Sequence, residues 1–175
     1  MVSKNLNDLI RVIPDFPKPG ISFKDITPLI ANGEAFLNVS KQIAQLGRES
    51  DYIAGIEARG FIFASSACAL TEKGFIPIRK SGKLPGNTIS STYDLEYGSA
   101  TLEVHTDIIK QGSKVLLVDD VLATGGTAIA ATKLLKAAGL LPIGLVFLLD
   151  IPELNGKARI AEALPGLKTE VILAQ

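Results

Sequence analysis

Four short, continuously apolar runs constrain this chain more than any other feature: Tyr52–Ile56, Phe75–Ile78, Val115–Val118 and Ile143–Leu149. Each is too short for a stable helix and apolar at successive positions, the pattern of a strand buried on both faces. Between them lie segments of helical character, Gly60–Lys73, rich in Ala and Ser, and Thr127–Ala138, stopped by Gly139. Strands that alternate with helices imply a parallel sheet, because parallel neighbours need long crossovers that cover the faces. The fold class is α/β, one domain over residues 1–175 with a central, mostly parallel sheet flanked by helices. A last strand is expected at Val171–Leu173.

Other segments read differently. Leu6, Leu9, Ile10 and Ile13 fall at helical spacing, predicting a short amphipathic helix that Pro14 stops. From Pro14 to Pro28, four prolines and Gly20 exclude regular structure, yet Phe16, Ile21, Phe23 and Ile26 are interleaved. An apolar but irregular stretch of this kind folds over something. Phe36, Val39, Ile43 and Leu46 predict a helix over Glu34–Arg48. Residues 79–90 are basic and polar, with Gly82, Pro85 and Gly86, and read as a mobile loop. Ser91–Leu95 and Thr101–His105 read as a hairpin joined around Tyr97–Gly98.

Composition excludes several kinds of chemistry. Lys+Arg and Asp+Glu are 18 each, so bulk positive charge gives no general affinity for nucleic acid. A single cysteine, Cys68, excludes an internal disulfide and a cysteine-built zinc site, and reads as packing in the apolar helix. A single histidine, His105, excludes multi-histidine metal centres and reads as a polar surface side chain. The apolar run Ala137–Leu149 is broken by Gly139, Pro142 and Gly144 and falls short of the roughly 20 residues that span a membrane. Met1–Arg11 does not resemble a signal peptide, so a soluble, cytoplasmic protein without membrane or nucleic-acid partners is expected.

In open parallel sheets, ligands bind beyond the carboxyl ends of the strands. The loop after Val115–Val118 carries the most chemistry there. It brings two carboxylates, Asp119 and Asp120, then Val121 and Leu122, then the small-residue turn Ala123-Thr124-Gly125-Gly126-Thr127 at the start of a helix. Unshielded N–H groups and two hydroxyls at a helix N-terminus make a site for a phosphate dianion. The carboxylates repel that phosphate and suit sugar hydroxyls or a hydrated magnesium ion. Together they describe a cradle for ribose 5-phosphate. A Gly-Gly turn alone is more often a plain helix start, and an Asp pair alone can cap it; the reading rests on the whole string. No Gly-Lys-Ser/Thr follows, so this is not a Walker loop.

The string Val115–Thr127 resembles the phosphoribosyl pyrophosphate (PRPP) motif of type I phosphoribosyltransferases. Pro14–Pro28, Gly55–Phe61, Ile78–Gly86 and Tyr93–Gly98, in that order, narrow the resemblance to the adenine phosphoribosyltransferase family, over residues 14 to about 139. The resemblance implies transfer of the 5-phosphoribosyl group of PRPP to adenine, giving AMP and pyrophosphate in purine salvage. It implies that Asp119 and Asp120 hold the ribose hydroxyls and that Ala123, Thr124, Gly125, Gly126 and Thr127 bind the 5-phosphate. Arg59 would contact pyrophosphate, and Arg79, Lys80 and Lys83 would belong to a mobile catalytic loop that closes to exclude water.

The irregular N-terminus, to about residue 30, would form a hood over the active site, with adenine between Phe23 and Val121. Ser22 would offer its backbone to the base. Lys24 stands where arginine is common in the family, which removes a planar bidentate contact. Glu96 matches the family's proton-transfer carboxylate, with Tyr97 beside it; Glu96, Asp120 and Arg59 are the expected catalytic residues. The implied mechanism is displacement at the anomeric carbon through an oxocarbenium-like transition state, with Mg2+ carried by PRPP and no dedicated protein metal site. A homodimer is also implied. Three alternatives stay open: a phosphoribosyltransferase for another purine base, a non-catalytic PRPP-binding regulator, and a flavodoxin-like or receiver-type binding domain, which would need its acidic pair near the first strand.

Overall fold

Tyr52–Ile56 is a strand residue for residue, and it lies at the centre of a seven-stranded sheet. The computed structural model describes residues 5–94 and 98–173. The chain divides into two compact units, 1–39 and 40–175.

In the first unit the predicted N-terminal helix is replaced by a 3-10 turn, Leu6–Leu9, and a strand, β1 (Arg11–Ile13). The helical spacing of Leu6, Leu9, Ile10 and Ile13 is overridden by antiparallel pairing with β2 (Phe23–Asp25), in the register Arg11↔Asp25 and Ile13↔Phe23. The stretch predicted to lack regular structure therefore contains a strand, and then a short helix, α1 (Thr27–Ala31), with Pro28 in its first turn. Asp25 ties these pieces together. It accepts Nε–H and Nη2–H of Arg11 at 3.0 and 2.6 Å and the Thr27 N–H at 2.9 Å. Hydrogen bonds from Thr27 and the Arg11 guanidinium lower its carboxyl to about 2. Phe16 meets Phe23 edge-to-face, ring centroids 5.1 Å apart.

Helix α2 (Gly33–Leu46) carries the chain into the second unit, where β3 (Tyr52–Ile56), α3 (Arg59–Thr71) and β4 (Gly74–Lys80) follow. Then come β5 (Thr88–Asp94), β6 (Ser99–His105), β7 (Lys114–Leu122), α4 (Gly126–Ala137), β8 (Leu141–Asp150), α5 (Gly156–Ala163) and β9 (Lys168–Val171). The sheet order is β5-β6-β4-β3-β7-β8-β9. The strands from β4 to β9 in that order are parallel, and β5 and β6 add an antiparallel hairpin at one edge. Pairing with β6 extends β4 to Lys80, and β5 begins at Thr88, so the loop predicted over 79–90 is shorter at both ends.

Alternation sorts the core. Ala54, Ile56, Ile76, Ile78, Val115, Leu117, Leu145 and Phe147 form one cluster with Ala131, Leu134 and Leu135 of α4 and Ile160 of α5. Ile53, Leu116, Val118, Val146 and Leu148 are buried on the opposite face, to which α3 packs over β3 and β7. Each such Ile or Leu contributes roughly 1.5–3 kcal/mol. Cys68 is buried in α3, where desolvation raises its thiol to about 11, as suits a packing residue. No helix among the described residues is long and apolar enough to cross a membrane.

Candidate active site

The chain leaves β3 on one side, to β4, and returns to the other, to β7. The loops that follow β3 and β7 therefore diverge at the topological switch point, where open α/β sheets hold ligands. Gly60 lets the start of α3 approach this edge: a Cβ there would lie 2.8 Å from the Val118 carbonyl oxygen and 3.1 Å from Asp119 Oδ1. The approach brings Arg59 Nε within 2.7 Å of Asp120 Oδ2. Asp120 is 6% exposed and Arg59 reaches solvent, so the pair sits at the rim with its cation outward.

The two carboxylates form one electrostatic unit. Asp119 Oδ1 accepts the Asp120 N–H at 2.9 Å. Burial and the adjacent Asp120 charge push Asp119 well above the usual carboxylate range. Burial also raises Asp120, and the Arg59 guanidinium opposes that rise. The strand predicted to stop at Val118 continues through both acids and Val121 to Leu122, because pairing with β8 continues to Leu122↔Asp150.

Beyond β7 the turn Ala123–Thr127 enters α4 with no side-chain cap on the helix. The turn lines a concavity with Asp119, Val121 and Phe147. The residue with positive φ is Gly125, at +80°, whereas Gly126 opens the helix itself. A Cβ on Gly125 would meet the Gly156 carbonyl oxygen at 3.0 Å and Ile160 Cγ1 at 3.1 Å. Helix α5, absent from the sequence reading, therefore backs the turn. Uncapped N–H groups and the helix dipole give this turn the chemistry to hold an anion. Thr127 Oγ1 also accepts the Tyr93 hydroxyl at 3.2 Å, a contact from β5 that the sequence did not signal.

The basic segment at the end of β4 and in the loop that follows is held by side chains instead. Glu57, directly after β3, accepts Arg79 Nε–H at 3.2 Å, the Lys80 N–H at 3.0 Å and the Lys83 ammonium. Burial works against its ionisation, but the hydrogen bonds from Lys83, Lys80 and Arg79 outweigh it and lower its carboxyl. Glu103 accepts the Ser81 hydroxyl at 2.7 Å and the Gly82 N–H at 3.1 Å. His105 Nε2 donates to the Pro85 carbonyl at 2.8 Å; a carbonyl accepts only, so the proton is on Nε2. The polar role read for His105 is thus a hold on the loop.

Among the expected residues, Arg59 and Asp120 form a pair, and Arg79, Lys80 and Lys83 gather on Glu57. In the first unit Ser22 is exposed, and Phe23 and Lys24 are half-buried in β2. Glu96 and Tyr97 lie outside the described residues. Glu57, Glu103, Tyr93 and Gly156 were missed. The one readable signal was Glu57, an acid between a buried strand and a basic segment.

Residues 25–162 match the Phosphoribosyl transferase domain family, the class that the switch-point site and the sheet define. The chain is 48% identical to the adenine phosphoribosyltransferase of Thermobifida fusca over 163 residues, 92% of this chain and 93% of that protein. The crystal structure of adenine phosphoribosyltransferase from Thermoanaerobacter pseudethanolicus matches with a TM-score of 0.89 at 40% identity, covering 98% of this chain and 100% of that one. The enzyme from Saccharomyces cerevisiae, complexed with D-2,5-dideoxy-2,5-imino-altritol 1,6-bisphosphate and adenine, matches with a TM-score of 0.86 at 34% identity and covers 96% of each chain. The chain belongs to the adenine phosphoribosyltransferase family, a purine-salvage transferase that moves the 5-phosphoribosyl group of PRPP to adenine, giving AMP and pyrophosphate. The alternatives left open by the sequence, another purine base, a non-catalytic regulator or a flavodoxin-like or receiver-type binding domain, give way to this.

Proposed function

We propose a division of labour among the residues that carry this reaction. The turn Ala123–Thr127 and the N-terminus of α4 hold the 5-phosphate through backbone N–H groups. Asp119 and Asp120 meet the ribose hydroxyls, and the Asp120 carboxylate beside Arg59 favours the positive charge that develops on the ring. Arg59, Arg79, Lys80 and Lys83 meet the pyrophosphate. Phe23 and Val121 are assigned to adenine through their apolar faces, Ser22 through its backbone groups, and Lys24 to the same base. Glu96 handles the proton that the base exchanges as the bond to the sugar forms. The single observation that carries the assignment is the Arg59–Asp120 pair, which holds the pyrophosphate-side cation against the sugar-side carboxylate at 2.7 Å.

Magnesium fits the donor set as a passenger of the substrate. Asp119 and Asp120 offer carboxylate oxygens beside the cradle. Two carboxylates with substrate oxygens suit Mg2+, which neutralises pyrophosphate charge when bound. We also propose that the chain works as a homodimer, as the family resemblance implies, and in the cytoplasm, where its lone buried thiol needs no oxidising compartment. The test is AMP-type product formation from PRPP with adenine, hypoxanthine, guanine and xanthine. Adenine should lead in kcat/KM by about a hundredfold or more, because a site built to hydrogen-bond one base edge leaves polar groups unpaired with another. Comparable values for adenine and hypoxanthine would overturn the assignment of the base.

A further inference from the structure

Glu57 is an acid buried among the cations that an anionic substrate has to meet. Its side chain is 8% exposed, and three donors of one segment converge on it. Oε2 takes Arg79 Nε–H and the Lys80 N–H, and Oε1 takes Lys83 Nζ. The sheet holds the acid in place, since the Glu57 N–H donates to the Ile78 carbonyl at 2.9 Å directly after the Ile56↔Ile78 pair. Arg79 is tied from a second side, its Nη1 donating to the Lys83 carbonyl at 3.0 Å, so the rest of its guanidinium fork is aimed rather than free to rotate. A carboxylate at this position repels pyrophosphate and shares the charge of Arg79 and Lys83. It therefore weakens binding of the anion while it fixes where the cations lie.

We propose that Glu57 is a positioning residue for the pyrophosphate half of the reaction: it holds Arg79 and Lys83 where the leaving group gathers charge and keeps released pyrophosphate from binding too tightly. The proposal rests on Arg79 and Lys83 being pyrophosphate contacts, as set out above. Preorganised donors act on charge as it develops, whereas uniform attraction only tightens the ground state.

The test uses the full chain with adenine, PRPP and magnesium, and with inorganic pyrophosphate as the binding probe. Glu57→Gln keeps the size and one acceptor oxygen but removes the charge. It should tighten pyrophosphate about three- to tenfold while kcat falls about tenfold or more, a split in opposite directions that simple loss of structure would not produce. Glu57→Asp keeps the charge but shortens the reach; pyrophosphate affinity should stay within about twofold while kcat falls by a similar factor. Lys83→Ala separates the two layers of the argument. If it leaves pyrophosphate affinity unchanged, the contact reading itself fails. If it weakens pyrophosphate but Glu57→Gln fails to tighten it or retains kcat, the role of Glu57 is overturned. Should Glu57→Gln not fold, Glu57→Asp decides: an unchanged kcat, or a fall in pyrophosphate affinity of more than about twofold, overturns the proposal.

Discussion

Two regions at one sheet edge offer positive potential, and they are built in opposite ways. The turn Ala123–Thr127 carries no charged side chain; its donors are backbone N–H groups held by a positive φ at Gly125 and backed by α5. The segment from Arg79 to Pro85 works through ammonium and guanidinium groups, held by the acids Glu57 and Glu103 and by His105. Backbone donors cannot be re-aimed without moving the sheet, so the first site suits a group that stays bound throughout the reaction. Charged side chains at a strand end and on the loop beyond it can trade one partner for another, which suits a group that leaves. The difference teaches that, with the 5-phosphate and pyrophosphate held as proposed, rigidity follows what each half of the substrate does.

The largest expected effect breaks the backbone-built site. Gly125→Val puts a β-branched residue at φ +80° and drives its Cβ into the Gly156 carbonyl at 3.0 Å and Ile160 Cγ1 at 3.1 Å. Strain and overlap together should cost on the order of 2–6 kcal/mol of stability. AMP affinity should fall more than about a hundredfold, read by calorimetry below the melting temperature, because the N–H cluster cannot keep its geometry. A folded Gly125→Val protein that binds AMP like the parent would return the Gly-Gly turn to an ordinary helix start.

Next comes the charged junction between the two regions. Asp120→Asn removes the carboxylate that Arg59 meets at 2.7 Å but leaves the turn intact. Turnover should drop about a hundredfold, the scale of one lost electrostatic contact to developing charge, while AMP affinity changes less than about threefold. Single-turnover rates beside AMP calorimetry read both; equal losses in the two would show that Asp120 acts in ground-state binding instead.

Salt should separate the regions without any mutation. Raising ionic strength from about 0.05 to about 0.5 M shortens the screening length severalfold and weakens exposed charge pairs more than fixed dipoles. Pyrophosphate affinity should fall about tenfold and AMP affinity less than about threefold. Parallel losses would argue that both sites work through side-chain charge.

The smallest effect concerns stability. Asp119 holds its proton more tightly in the folded chain than in the unfolded one, because burial and Asp120 raise it. Its contribution is therefore most favourable at low pH and is lost as pH rises from the usual carboxylate range through the raised value. Asp119→Asn should flatten that slope and raise Tm at neutral pH by about 2–4 °C for each kcal/mol recovered, while activity falls. A Tm lowered at neutral pH would show that the ionised pair is stabilising.

Legibility followed the range of the interactions involved. The strand Tyr52–Ile56 and the helix α4 could be read because apolar runs and a glycine stop are local signals, and a fully buried parallel strand leaves no other use for such a run. Helix α5 was missed because Gly156–Ala163 is short and mixes charged residues with small alanines, leaving Ile160 its one large buried side chain. The N-terminus was misread because Leu6, Leu9, Ile10 and Ile13 satisfy a helical period, and only pairing with Phe23–Asp25 turns that stretch into a strand.

For the site, the sequence by itself determined which groups are present: an acidic pair at a strand end, a glycine turn before a helix, and a basic segment after the neighbouring strand. Those follow from residue identity and spacing along one chain segment. Tertiary structure alone decided that Arg59 meets Asp120, that Glu57 collects Arg79 and Lys83, and that α5 closes behind Gly125. These contacts join segments far apart in sequence, and their geometry is set by which strands lie side by side, a property that no local pattern encodes.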